Sequence, residues 1–269
     1  MVSLSELAAL YERDGVVLIP QLLSRGNQEV LRKAIDSSIE NPSPMYSDLS
    51  PDSSGSFFLD FLNFRRNPFI EALVKDVEVL RSLSEVVGTD TIRFFHDNLL
   101  VKTGFAPESP WHQDRPHYVV AGPKNFSMWT CIDEVGEQDS LAFVRGSHNF
   151  DRLFVPSSFR DGSQLGAEDD VFETLTTAKL NKLSQHGILI FRYQPGDVIV
   201  FDNRTIHRGL RGPGEIVRRA LSFRYLGDGA FLTHRNIDPT PPMQKLGLRF
   251  DEGAAPDDTW FPLLYKREK

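Results

Sequence analysis

Apolar residues in the first forty positions recur mostly at helical spacing, with one short β-branched run between two helical stretches. Leu4, Leu7, Ala8 and Leu10 share one side of a helix predicted over residues 3–13, with Ser3 or Ser5 as cap and Asp14-Gly15 as its end. The run VVLIP reads as a strand stopped by Pro20. The segment GNQEVLRKAIDSSIE returns to the helical period through Val30, Leu31, Ala34, Ile35 and Ile39. A Pro/Ser-rich loop is predicted over 41–56, then the aromatic run FFLDFLNF, then a third helix over about 68–87 closed by Gly88.

Beyond Gly88 the pattern changes period. RFFHDNLLVK, NFSMWTCIDE, SLAFVRGS, HGILIFRY, DVIVFDN and RRALSFRYL are short, apolar, aromatic and β-branched, with turn residues between most of them. Short strands separated in this way predict an all-β sandwich or barrel. A polar, partly helical insert (151–185) interrupts the strands, and a proline-rich, loop-like tail begins near 235. No internal repeat or low-complexity linker divides the chain, so a single domain over 1–269 is expected.

Composition narrows the class of partner. The chain has 269 residues, 40% hydrophobic and 25% charged, enough to bury a good core. Its formal charge of −7, with no long Lys/Arg block, argues against nucleic acid or an anionic membrane surface. Cys131 is the only cysteine, so no intrachain disulfide forms. Glu6, Glu12 and Asp14 interrupt the N-terminus before any signal-peptide core can develop, and no apolar run approaches the ~20 residues of a membrane span. The expectation is a soluble, cytoplasmic protein.

The candidate chemistry starts at SPWHQDRPHY. His112 and Asp114 are two apart, and in extended chain both point to one face, as two ligands of one ion must. The tripeptide alone is too short to be specific. A jelly roll offers an interior wall on which a distant histidine can join the pair, and His207, at the end of GDVIVFDNRTIHRGL, is that candidate. Its plain alternative is a strand-end histidine bonded to backbone. Two histidines and one carboxylate on one side of an ion leave other positions open, which suits non-haem Fe(II) and O2. If the co-substrate is 2-oxoglutarate, a guanidinium should grip its far carboxylate. Alternation sends Arg218 to a face continued by the small residues Ala220 and Ser222, and Arg219 to one continued by Leu221, Phe223 and Tyr225. Arg218 is therefore the choice, and Arg219 the solvated arginine. His148, His186 and His234 fall in turns or the tail. His96 and His117 lie near the site without ligand spacing.

WHQD, the Trp-containing strand ending in ID, LAFVRGSH, IHRG and the Arg that follows together resemble the phytanoyl-CoA dioxygenase family, over about residues 5–230. The resemblance implies a mainly β, double-stranded β-helix (a cupin-like jelly roll) with N-terminal helices packed outside. It also implies Fe(II) held by His112, Asp114 and His207, and 2-oxoglutarate and O2 as co-substrates, with Arg218 on the 2-oxoglutarate tail. Lys102 and Trp129 match positions lining that co-substrate pocket, and Asn98 shares the Lys102 face. The residue two beyond the distal histidine is often a hydroxyl in relatives but is Gly209 here, so Ser222, Thr205 or Thr130 is expected to replace it. Asp139-Ser140 and Arg145-Gly146 also depart from the family pattern, as turn changes expected not to touch the chemistry.

The resulting expectation is a dioxygenase that hydroxylates a small organic molecule, with desaturation or ring closure as alternatives, while 2-oxoglutarate becomes succinate and CO2. Retention of Asp114 speaks against halogenation, since halogenating relatives lack this carboxylate. Asp114 is expected to serve chemistry more than the core, so that Asp114→Gly should leave the metal-free melting temperature nearly unchanged. Two other classes remain open: a metal-dependent hydrolase, for which no HExxH-like motif supplies a base, and a non-catalytic metal- or ligand-binding jelly roll. Specificity should lie in residues 41–64, 115–125 and 151–185, where Phe57, Phe58, Phe61, Phe64, Arg115, His117 and Arg160 suit a mostly apolar molecule with an anionic or hydrogen-bonding group. No basic cluster cradles a coenzyme A phosphate, and a secondary metabolite fits at least as well.

Overall fold

The computed structural model describes residues 2–50, 55–166, 168–211 and 214–268. Residues 51–54 of the predicted loop and Ala167 of the predicted insert lie outside the described residues.

Helices Leu4–Asp14 and Arg25–Glu40 stand where their periodicity places them. Ser3 and Glu6 close a reciprocal capping box at the first. Gly15 ends it with φ 75°, and a Cβ there would lie 2.3 Å from His148 Nδ1, so the turn into the first strand requires glycine. The third predicted helix is two helices, Pro68–Val74 and Val77–Val87. The break has a local cause. The Asp76 carboxylate accepts the N–H groups of Glu78 and Val79, both at 3.0 Å, and so caps a new helix instead of continuing the old one.

The large antiparallel sheet runs in the spatial order Val16–Ile19, Val198–Asp202, Phe126–Cys131, Ile216–Leu226, Thr91–Gly104, Ser56–Phe61 and Ser47–Asp48. The tail is less loop-like than its sequence suggests. Leu263–Lys266 pairs with the start of Thr91–Gly104, and Met243, Leu248 and Phe261 are buried. A smaller sheet, Ile188–Ile190, Leu141–Val144 and His207–Gly209, packs against the large one. The insert carries one helix, Thr177–Leu183.

Strand alternation divides the core. Leu99, Val101, Met128, Val198, Val200, Leu221, Phe223 and Tyr225 meet the N-terminal helices, which pack outside the sheet as expected. Trp129, Cys131, Ile199, Phe201 and Ala220 turn the other way, toward Leu141 and Phe143 of the small sheet. The space between the two sheets is where the candidate ligands lie. Among the described residues, no helix is long and apolar enough to cross a membrane.

Candidate functional site

His112 and His207 face each other across an isolated antiparallel bridge, each backbone N–H donating to the other's carbonyl at 3.0 and 2.9 Å. This bridge brings two residues from distant parts of the chain into one plane. Asp114 reaches them by a route the sequence reading did not foresee. It is not extended but has φ −73° and ψ −41°, at the start of the turn Arg115–His117. A turn, and not strand alternation, aims its carboxylate. Gln113 fixes the segment between the ligands, donating to the Arg204 carbonyl at 2.7 Å and accepting from the Phe154 N–H at 3.0 Å.

One ligand atom from each of His112, Asp114 and His207 lies within 4.8 Å of the others, and all three residues are buried. Asp114 Oδ1 is 3.7 Å from His112 Nε2 and 3.8 Å from His207 Nε2. The Nδ1 atoms lie 2.9 Å from the carbonyls of Pro110 and Thr205. A carbonyl only accepts, so each Nδ1 carries the hydrogen and each Nε2 presents its lone pair toward Asp114 Oδ1. Burial, with His112 beside it, pushes the His207 ring down to about 3, which keeps it neutral and able to coordinate. Burial alone would raise the Asp114 carboxyl, but the adjacent Arg224 guanidinium holds it well below the usual range. Neutral imidazoles and an ionised carboxylate are the donor set of a divalent transition metal.

Rows of side chains across adjacent strands form the floor of the site. Arg218 lies opposite Lys102, and Lys102 opposite Phe57; Ser222 lies between Trp129 and Asn98, and Asn98 opposite Phe61. These residues line a cavity of about 290 Å³ that also contains His112, Asp114 and His207. Arg218 is buried and Arg219 is not; Arg219 pairs with Asp133 at the surface edge, as the alternation predicts. The Arg218 Nη1 donates to the carbonyls of Asp139 and Ser140. The departure at Asp139-Ser140 therefore does touch the site, through its backbone. Lys102 Nζ rests 4.3 Å from the Phe57 ring centre and donates to the Pro107 carbonyl. Burial and the nearby Arg218 push the Lys102 ammonium down to about 6.

Gly209 has a steric reason. A Cβ there would meet Arg218 Nη2 at 2.8 Å and Ser109 Oγ at 3.4 Å. Of the proposed replacement hydroxyls, Thr205 donates to the Gly15 carbonyl and Thr130 bonds Tyr193 and Asp197, so both are engaged elsewhere. Ser222 Oγ and Asn98 Oδ1 are buried in the cavity wall without a partner among the described residues. Ser109, missed in the sequence, accepts the Gly209 N–H at 2.6 Å and lines the cavity beside Arg218. Its only signal was proximity to WHQD. Arg224 was also missed, although strict alternation from Arg218 places it on the inner face. Its Nη2 lies 3.1 Å from Asp114 Oδ2 and its Nε donates to the Tyr118 hydroxyl at 2.9 Å.

Of the residues expected to contact a substrate, Phe57, Phe61, His117 and Arg160 line the cavity. Phe58 instead packs on Tyr46, and Phe64 on Phe94. Arg115 is not among the lining residues. The insert contributes Ser157, Ser158, Phe159 and Leu165, with Phe159 edge-on to His112 at 4.6 Å. His96 lies beside Tyr118 and outside the cavity lining.

The Arg224 contact changes the expectation for Asp114. Removing one member of a buried ion pair leaves the other charge without compensation, at a cost of about 3–5 kcal/mol. Asp114→Gly should therefore lower the melting temperature of the metal-free protein clearly. Coincident melts of the two metal-free proteins would show that the pair contributes nothing to the fold.

The family described as Phytanoyl-CoA dioxygenase (PhyH) matches residues 11–220. No curated protein sequence matches significantly. Among solved structures, the non-heme alpha ketoglutarate dependent epimerase SnoN from nogalamycin biosynthesis is 18% identical, with TM-score 0.74, covering 98% of this chain and 97% of that one. The carbocyclase SnoK from the same biosynthesis is 18% identical, with TM-score 0.72, over 96% and 95% of the two chains. EctD from S. alaskensis with bound Fe is 21% identical, with TM-score 0.66, over 84% and 77%. These likenesses show the jelly-roll fold of iron- and 2-oxoglutarate-dependent oxygenases, and the converging His-Asp-His set fits the iron that such enzymes use. With the family match spanning most of its length, the chain belongs to the phytanoyl-CoA dioxygenase family and is an Fe(II)- and 2-oxoglutarate-dependent dioxygenase.

Proposed function

We propose that His112, Asp114 and His207 hold Fe(II), that Arg218 anchors the far carboxylate of 2-oxoglutarate, and that the enzyme hydroxylates a small, mostly apolar molecule. One observation carries this reading: one cavity joins the three converging ligands to a second station made by the basic side chains of Arg218 and Lys102. Gly209, two residues beyond His207, lies beside Arg218, so one short strand links a metal ligand to the guanidinium. When bound, iron with 2-oxoglutarate and O2 supplies the oxidising power for C–H hydroxylation, yielding succinate and CO2.

The chain's own residues bind, orient and exclude water. Arg218 and Lys102 place a carboxylate, and Ser109 offers its free O–H proton to the same end. Ser222 Oγ and Asn98 Oδ1, unpaired among the described residues, supply polar contacts along the diacid. Trp129, Leu141 and Phe201 wall the cavity against solvent. Phe57, Leu59, Phe61 and Phe159 face the substrate with apolar surface, while His117 and Arg160 offer hydrogen bonds. That mixture supports a secondary metabolite as substrate, in keeping with the nogalamycin pathway of two structural neighbours. The same reading takes residues 1–269 as one catalytic unit and places it in the cytoplasm, where a lone, buried Cys131 remains reduced.

Anaerobic Fe(II) with 2-oxoglutarate should give the weak visible charge-transfer band of the chelate, and His207→Ala should abolish it. A band that survives in the variant rejects the ligand assignment.

Arg218→Ala should weaken 2-oxoglutarate binding by about 30- to 5,000-fold, the loss of roughly 2–5 kcal/mol when one partner of a buried charged pair is truncated. Arg218→Lys should recover part of this, and Arg219→Ala should stay within about threefold because its guanidinium faces Asp133. Titration of the three variants checks the assignment, and a sensitive Arg219 would overturn it.

Lys102 gives binding a pH dependence. In the empty cavity it loses its proton above about pH 6, whereas an adjacent carboxylate favours the charged form. Binding then takes up a proton, so affinity should fall as pH rises from 6 to 8, by up to about tenfold per unit. Lys102→Met should flatten this slope. Equal slopes in the two proteins, measured by calorimetry, would exclude Lys102 from the anion site.

A further inference from the structure

Asp114 has two oxygens with different surroundings. Oδ1 faces both histidine Nε2 atoms at 3.7 and 3.8 Å, while Oδ2 points to Arg224 Nη2 at 3.1 Å. Ser127 Oγ is also 3.1 Å from Oδ2, but it has a single proton and lies closer, at 2.7 Å, to Asn203 Oδ1. Arg224 is therefore the principal partner of this oxygen. It is itself firmly held: 5% exposed, bonded to Tyr118, and the last inward residue before the register shift that follows it on the strand. Residue 224 lies opposite Ser127 on one neighbouring strand and His96 on the other. Burial and the adjacent Arg224 push His96 down to about 3, so the neutral ring adds no competing charge.

We propose that Arg224 is a positioning residue of the metal centre: by occupying Asp114 Oδ2 it restricts this carboxylate to one-oxygen ligation and so reserves coordination positions for 2-oxoglutarate and O2. The inference rests on the ligand set proposed above. Without Arg224 the carboxylate is free to offer both oxygens, and 2-oxoglutarate must then compete with Oδ2 for a position. Metal binding and co-substrate binding should consequently respond differently to the same substitution, which a general loosening of the site would not produce. Partners of a ligating carboxylate of this kind are worth about 10- to 100-fold when removed.

The test uses full-length protein loaded with Co(II), whose visible d–d absorption reports coordination number, followed by titration with 2-oxoglutarate. Arg224→Met should keep Co(II) affinity within about tenfold, weaken 2-oxoglutarate at least tenfold, and alter the d–d spectrum before 2-oxoglutarate is added. Arg224→Lys, which keeps the charge, should recover part of the co-substrate affinity. Tyr118→Phe removes the hydroxyl that Arg224 Nε and Asp114 share and should shift both readouts in the same direction by less, while Arg224→Lys decides the matter if Arg224→Met does not fold. Unchanged spectra and 2-oxoglutarate affinity in the variants would overturn the proposal. So would parallel loss of metal and co-substrate binding in a folded variant, since Arg224 would then build the site without controlling denticity. If the wild-type protein shows no perturbation on adding Co(II), or His207→Ala shows the same one, the ligand set is what fails.

Discussion

Backbone alternation along the strand Ile216–Leu226 ties the core of this protein to its chemistry. Leu221, Phe223 and Tyr225 are locked into the apolar layer under the N-terminal helices, so Arg218, Ser222 and Arg224 have no choice but the opposite face. A slip of one residue would bury Arg219 and turn the hydrophobic set outward. Burial of three large side chains at about 1.5–3 kcal/mol each makes such a slip far more costly than any single polar contact in the cavity. The register with Thr91–Gly104 then carries Asn98, Leu100 and Lys102 to the same face, and Ser56–Phe61 carries Phe57, Leu59 and Phe61. The cavity floor thus follows from packing on its far side.

Two guanidinium groups, a lysine and one carboxylate are buried along this floor, which is expensive unless each has partners. Arg224 and Asp114 neutralise one another at the metal end. At the other end Arg218 and Lys102 have backbone carbonyls among their acceptors, and each is pushed toward its neutral form by burial. Under the proposed function, this imbalance prepares that end for an anion. A carboxylate arriving there meets donors already oriented by Asp139, Ser140 and Pro107, so little reorganisation accompanies binding.

The outer part of the cavity is built differently. Ser157, Ser158, Phe159, Arg160 and Leu165 come from the insert, Leu49 from the loop before the first aromatic strand, and Thr240 from the tail. Arg160 donates to the Asp48 carbonyl at 3.2 Å and so links the insert to that loop. Under the proposed function, the rigid sheet carries the groups for the chemistry and the connecting segments those that select a substrate.

The sequence by itself determined the period of each segment, and with it the strands, the outer helices, the separation of Arg218 from Arg219 and the choice of His112, Asp114 and His207. These are local consequences of hydrophobic spacing, reinforced by motifs whose joint spacing is specific. Its errors were also local in origin: Asp76 splits a helix that hydrophobic periodicity would continue, because a side chain competes for backbone donors. Tertiary structure alone decided the rest. Asp114 meets the histidines through a turn and a cross-chain bridge, not through alternation. Arg224 became part of the centre because a sheet register set it beside a carboxylate over a hundred positions away. Ser109 and the Asp139-Ser140 carbonyls gained their roles only when Gly209 let Arg218 approach. Such pairings depend on which strands become neighbours, and that is fixed by burying the whole core at once, a quantity that no stretch of sequence contains.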